Sequence, residues 1–230
     1  MSQGSLKHRI LYEDNHLIAV NKLAGELSQG DSTGDLPLLD KTRRYLKEQY
    51  HKPGNVFCGL IHRLDRPTSG LMLFAKTGKA LTRMNKIFAE RQLSKTYLAI
   101  CAMPLSKPRG QLKHYLKKEP AKNKSFVRRA DSKGAKKAEL RYSLLGRSDR
   151  YYLYEVELLT GRHHQIRAQF AEEGAPLRGD LKYGYPRSNT DGGISLHAYT
   201  LSFEHPVQKQ AIEIKAPYPG TDKLWSQFDW

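Results

Sequence analysis

The nine residues His62-Arg63-Leu64-Asp65-Arg66-Pro67-Thr68-Ser69-Gly70 set one carboxylate between two arginines and follow it with the turn formers Pro67 and Gly70. Cations beside a carboxylate favour its ionised form, and an ionised carboxylate can serve as nucleophile or base. Asp65 is therefore the first candidate for chemistry, set against the plainer reading of an aspartate that caps a turn and pairs with a neighbouring arginine. Three further groups stand at the ends of apolar runs: Lys22 after Leu17 to Val20, Tyr97 near the start of Lys95 to Met103, and Arg167 after Thr160-Gly161. Other chemistries lack their residues. No paired carboxylates suggest a glycosidase, and neither G-x-S-x-G nor a phosphate-binding glycine loop occurs. The nine histidines include His163, His164, His197 and His205, but none of the nine forms H-x-x-x-H, and no metal site is expected.

The elements that must position these groups are legible in the apolar spacing. Ile10 to His16 reads as a short strand and polar turn, and Leu17 to Val20 as a buried strand ending in Asn21-Lys22. Gln29 to Pro37 is loop-like, and Leu38 to Tyr50 is a helix with Leu39, Thr42, Leu46 and Gln49 at helical intervals. Leu71 to Ala75 is a buried strand. Thr77 caps a helix over Gly78 to Arg91 whose stripe is Leu81, Met84, Ile87 and Phe88. Ala138 to Leu145 and Tyr151 to Leu159 alternate as an antiparallel pair. Thr160-Gly161 then breaks the strand, and a helix runs to about Glu173, with Ile166 and Phe170 facing the core, His163 and Arg167 sharing another face, and the adjacent histidines pointing apart. Gly179 to Gly184 reads as a polar turn, Ser195 to Phe203 and Gln210 to Lys215 as strands, and Thr221 to Trp230 as a short helix packing Leu224, Trp225 and Phe228.

With 230 residues, the chain can bury one large core, and no repeat or linker divides it, so a single domain over residues 1–230 is expected. No apolar run is long enough to cross a membrane, and Met1 to Arg9 lacks a signal-peptide core. Two cysteines, Cys58 and Cys101, without a C-x-x-C pair fit a reducing compartment, so the cytoplasm is the expected location. Lys plus Arg number 39 against 23 Asp plus Glu, a formal charge of +16, which points to a polyanionic partner and to nucleic acid ahead of lipid. Much of that excess falls between Leu105 and Lys137, where large apolar groups are few; this stretch reads as a basic surface excursion, a partly mobile hairpin, either a solvated flank or an arm that contacts phosphates, and its sparse aromatics Tyr115 and Phe126 give weak grounds for base stacking.

Taken in order, Val20-Asn21-Lys22, His62 to Gly70, Lys95-Thr96-Tyr97-Leu98, Leu159 to Arg167, Gly179-Asp180 with Tyr183-Gly184, and Leu196-His197-Ala198 through His205-Pro206 resemble the RluA family of pseudouridine synthases, which isomerise uridine in RNA to its C-glycoside. The resemblance runs from about Ile10 to Pro217. It implies an α+β fold with a mixed, largely antiparallel central sheet flanked by helices and loops. It also implies an enzyme acting on tRNA or ribosomal RNA, without metal, nucleotide or redox cofactor, working as a monomer with no obligatory protein partner. Residue by residue, it makes Asp65 the catalytic aspartate, Tyr97 the active-site tyrosine and Arg167 the arginine that pairs with the aspartate. Arg63 matches the arginine that enters the RNA stack, Leu159 lines the uracil pocket, and His62, Lys22 and Thr68 are expected around the substrate. This chain has His163 where the family often has Thr. With strands beginning by residue 10, the family's frequent N-terminal S4 module is expected to be missing, and the basic stretch to compensate for it.

Overall fold

A computed structural model describes residues 5–220 and 222–228; Thr221, Asp229 and Trp230 of the expected tail helix lie outside the described residues. In chain order the elements are β1 (Ile10–Glu13), β2 (Leu17–Lys22), α1 (Leu38–Gln49), β3 (Gly59–Leu60), β4 (Ser69–Ala75), α2 (Gly78–Ala89) and β5 (Leu93–Cys101). There follow β6 (Arg109–Glu119), β7 (Lys124–Arg128), β8 (Lys136–Arg147), β9 (Tyr152–Leu158), α3 (Gln165–Glu172), β10 (Leu196–Glu204) and β11 (Ala211–Lys215). This is an α+β chain in which sheet predominates. It forms two compact units, one of Met1–Ser94 with Ala198–Tyr218 and the other of Lys95–His197 with Pro219–Trp230.

In the first unit the strand order is β1-β2-β4-β10, with β11 on β10 and β3 on β4. The β2/β4 pairing is antiparallel and runs from Leu17 opposite Ala75 to Lys22 opposite Gly70. All seven residues of β4 are buried, as a central strand with both faces covered requires. Gly70 lets this strand lie against β10: its φ is +112°, and a Cβ there would fall 2.3 Å from the Ala198 carbonyl oxygen. The expected helices stand where the spacing put them. The Thr77 hydroxyl accepts from the Ala80 N–H at 3.2 Å and caps α2.

In the second unit the order is β5-β9-β8-β6-β7, with β5/β9, β9/β8, β8/β6 and β6/β7 all antiparallel. The basic stretch of residues 105–137 takes regular structure here: it holds all of β6 and β7, a hairpin at the edge of the sheet, and the first two residues of β8. Alternation explains how: Leu112 and Leu116 of β6 and Ala138 and Leu140 of β8 are buried on one face, while the lysines between them point to solvent on the other. A strand needs an apolar residue only at every second position, so a lysine-rich run can still complete a sheet. Helix α3 lies close to β6 and β7, and Phe170 meets the rings of Tyr154 at 5.8 Å and Tyr142 at 6.4 Å. A short 3-10 turn, Trp225–Gln227, buries Leu224, Trp225 and Phe228 as expected.

Candidate active site

The Asp65 turn is held by main-chain and side-chain bonds from several segments of the first unit. The Asp65 carbonyl accepts from the Thr68 N–H at 3.0 Å, and the Arg66 carbonyl accepts from the Gly25 N–H at 2.9 Å. Lys22 ends β2 with a fully buried side chain, and its Nζ donates to the carbonyls of Thr68 at 2.6 Å, Arg66 at 3.0 Å and Leu23 at 3.1 Å. Burial pulls the Lys22 ammonium down to about 7, opposed by the Glu26 and Asp65 carboxylates. Three carbonyls match the three N–H groups of the charged form, so the geometry favours the ammonium. On the other side Ser28 Oγ donates to the Leu64 carbonyl at 2.7 Å and accepts from its N–H at 3.1 Å. His62 Nε2 accepts from the Leu73 N–H at 3.0 Å while the ring stacks on Phe88. Asp65 itself is half-buried, and Arg63 is exposed beside it. Thr68 is buried, and its hydroxyl has no partner among the described residues.

The second unit carries Tyr97 on β5, opposite Val156 of β9, with 9% of its surface exposed. Arg167 sits on α3 and grips Asp180 as a fork, Nε to Oδ2 at 2.7 Å and Nη2 to Oδ1 at 2.8 Å; the side chains are 4% and 1% exposed. The guanidinium lies 5.1 Å from the Tyr183 ring centroid. Tyr183 in turn donates to the Ser125 carbonyl at 3.0 Å, accepts from the Ser125 N–H at 3.0 Å and lies 3.1 Å from His164 Nδ1. His163 is tied by its own contact, Nδ1 to Ser125 Oγ at 2.9 Å. Thr160 Oγ1 donates to Gln165 Oε1 at 2.7 Å, and the same oxygen accepts from the Arg162 N–H at 2.9 Å, which closes the turn into α3. Lys95 approaches that turn, with its Nζ 3.7 Å from where a Cβ on Gly161 would stand, and burial lowers its pKa.

A family model described as RNA pseudouridylate synthase matches residues 16–172, which is more than half of the chain. The chain belongs to the RNA pseudouridylate synthase family. Among its relatives, a ribosomal large subunit pseudouridine synthase C of Vibrio parahaemolyticus is 32% identical over 224 residues, covering 93% of this chain and 67% of that protein. Another of that name from Rickettsia bellii is 34% identical over 216 residues, covering 92% and 68%. The chain thus spans about two thirds of the length of these relatives. The solved structure of human RNA pseudouridylate synthase domain containing 4 shares the fold, with a TM-score of 0.82 at 22% identity, covering 98% of this chain and 95% of that one. For human RNA pseudouridylate synthase domain containing 1 the TM-score is 0.74 at 25% identity, covering 100% and 91%.

Within this pseudouridine synthase the residues singled out from the sequence divide by unit. Asp65, Arg63, His62, Thr68 and Lys22 share one loop system in the first, whereas Tyr97, Leu159 and Arg167 stand on β5, the end of β9 and α3 in the second. Lys22, His62 and Thr68 are used inside the fold, bonding backbone or lying buried beneath the turn. Two expectations at α3 are corrected. The helix begins at Gln165, so His163 precedes it and does not share a helical face with Arg167; and His164 takes φ +54°, which turns the two imidazoles onto each other at 3.8 Å instead of apart. Asp180 and Tyr183 received no role from sequence reasoning, which took Gly179 to Gly184 for a polar turn. Both are buried, and their signal was present in the pairs Gly179-Asp180 and Tyr183-Gly184. Among the described residues no group of three or more His, Cys, Asp or Glu could hold a metal ion.

The buried His164 gives a pH expectation. Burial, followed by the neighbouring Arg167, lowers its pKa from 6.5 to about 2. Between those values the unfolded chain binds a proton that the folded one refuses, so the stability from neutral His164 is complete above pH 6.5 and is lost as pH falls, by up to about 1.4 kcal/mol per pH unit. Asn tolerates the left-handed backbone at this position. His164→Asn is therefore expected to flatten the loss of stability between pH 6.5 and pH 4.5 in urea titrations, and parallel curves for the two proteins would refute the assignment.

Proposed function

We propose that this chain is a pseudouridine synthase of large-subunit ribosomal RNA in which Asp65 is the essential catalytic carboxylate. The observation that carries the assignment is the construction of the signature turn: Lys22, Ser28 and Gly25 fix its backbone, so the half-buried Asp65 carboxylate is presented by a rigid frame. The names of the Vibrio and Rickettsia relatives favour ribosomal RNA over tRNA as the substrate. The family match runs through both compact units, and we take the two together as one catalytic module.

Chemistry begins with extrusion of the uridine, since C1′ and the ring carbons are out of reach inside a stack, and an unpaired or bulged uridine lowers that cost. Arg63, exposed beside Asp65, is suited to fill the vacated place. The Asp65 carboxylate then engages the nucleotide at C1′ or at C6, the N1–C1′ bond breaks, the uracil turns within the site, and C5 bonds to C1′. Loss of the C5 proton and its return to N1 leave an isomer of the substrate, so atoms and electrons balance within the one nucleotide. Tyr97 supplies an aromatic face for the base, and Leu159 an apolar wall. Arg167 supplies a planar cation whose orientation Asp180 fixes. The monomeric state and a cytoplasmic site of action belong to the same proposal; no described helix is long and apolar enough to cross a membrane.

The test is a pseudouridine map of total RNA from a strain lacking the gene, compared with its parent. One or a few positions in large-subunit ribosomal RNA are expected to lose pseudouridine and to regain it when the gene is restored. Identical maps would overturn the reading, and a loss confined to tRNA would overturn the substrate assignment.

A further inference from the structure

One face of the β6/β7 ladder carries an aromatic and cationic surface that the proposed chemistry does not use. Lys113, Tyr115 and Lys117 alternate along β6 on the side away from buried Leu112 and Leu116. Across the ladder Lys117 stands opposite Phe126, and Tyr115 opposite Arg128, so all five share that face. Three cations crowd the Phe126 ring, with the Arg128 guanidinium 4.9 Å, the Lys124 ammonium 5.2 Å and the Lys122 ammonium 5.4 Å from its centroid. Among the described residues Glu119 is the one carboxylate that answers them, bonded to Arg128 at 2.9 Å and to Lys122 at 3.3 Å. Lys124 spends its ammonium on the Lys182 carbonyl. Lys113 and Lys117 are exposed and make no ion pair among the described residues.

Such a face has two complementary chemistries. Like charges gathered on a ring attract a polyanion, and the two aromatic side chains give flat apolar surfaces within the cationic field. A strand rise of ~3.3 Å per residue sets Lys113 and Lys117 about 13 Å apart with Tyr115 between them, so charge and ring alternate along one line. A duplex could use the charges but has no free base faces to offer the rings. We propose that this face of β6 and β7 is a docking platform for a single-stranded RNA segment, in which Phe126 and Tyr115 stack on bases while Lys113, Lys117, Lys122 and Arg128 take phosphates. The inference rests on the proposed RNA substrate and extends it: the protein holds an unpaired part of that RNA by a surface separate from the Asp65 turn in sequence.

The experiment measures fluorescence anisotropy of a 12-nucleotide oligouridine with the full chain, across a range of salt concentrations. Phe126→Leu, which keeps an apolar side chain, is expected to weaken binding about tenfold, the loss of one base stack. The double variant K113Q/K117Q replaces exposed side chains and leaves the packed face untouched. It is expected to lower the slope of log affinity against log salt by about 1.4, at about 0.7 per phosphate contact on a single strand. Unchanged affinity and slope in both variants would overturn the platform. An equal loss for Phe126→Leu on a 12-base-pair RNA duplex would overturn the stacking role. The activity is read separately: oligouridine binding that depends on these residues, in a protein that releases no tritium from 5-tritiated ribosomal RNA, would refute the enzyme reading and leave the platform standing.

Discussion

Asp65→Asn is expected to lower tritium release from 5-tritiated large-subunit ribosomal RNA by about four orders of magnitude or more, with RNA affinity changed only a few-fold. The substitution keeps the shape of the side chain and removes its charge and nucleophilicity. It should also spare the fold, because the turn is closed by the Asp65 main-chain carbonyl on the Thr68 N–H, and the bonds from Lys22 and Ser28 go to the backbone of neighbouring residues. Tritium release within tenfold of the native rate would remove Asp65 from the reaction. A variant inactive because it unfolds would be recognised by lost RNA binding and a lost unfolding transition.

The second large effect is expected at Arg167 and Asp180. Their ion pair is almost wholly buried and forked, so Arg167→Lys, which offers a point charge in place of a plane, and Asp180→Asn should each destabilise the protein by about 3–5 kcal/mol as an upper range. Both should cut turnover sharply. The double variant R167M/D180L separates the two consequences. Replacing a buried pair with apolar side chains of similar volume commonly restores stability, but it cannot restore a cation to the reaction. Recovery of the urea midpoint without recovery of tritium release is the expected result. Recovery of both would reduce Arg167 to a structural residue.

The elements with strong periodicity were legible in the sequence: β2, β4, α1, α2 and the β8/β9 pair stand close to where the apolar spacing put them. Asp65 stood out as a candidate because its cationic neighbours are adjacent in the chain. The Arg167–Asp180 pair did not, since the two lie thirteen residues apart in segments read as separate helix and turn, and nothing in local spacing reports that a polar turn will be buried. The strands of the basic stretch were hidden for a related reason. Composition averages over both faces of a strand, so an outer face rich in lysine conceals an inner face that needs only Leu112, Leu116, Ala138 and Leu140. The stacked histidines escaped because His164 adopts a left-handed backbone, and a helical reading could not anticipate it.

The first unit is discontinuous in the chain, and this bears on the order in which the protein can be completed at the ribosome. β4, with all seven of its residues destined for the interior, pairs with β2 on one side as soon as it emerges, but on its other side β3 reaches only Phe74 and Ala75 and the rest awaits β10. Between Ala75 and Glu204 the ribosome must polymerise about 130 residues, on the order of ten seconds of synthesis at about 5–20 residues per second. Through that interval the nascent chain displays an apolar strand with most of one edge open, the template on which aggregation begins. Holdase protection during translation, and refolding yields that fall as concentration rises, are the burdens this topology places on the cell and on the experimenter.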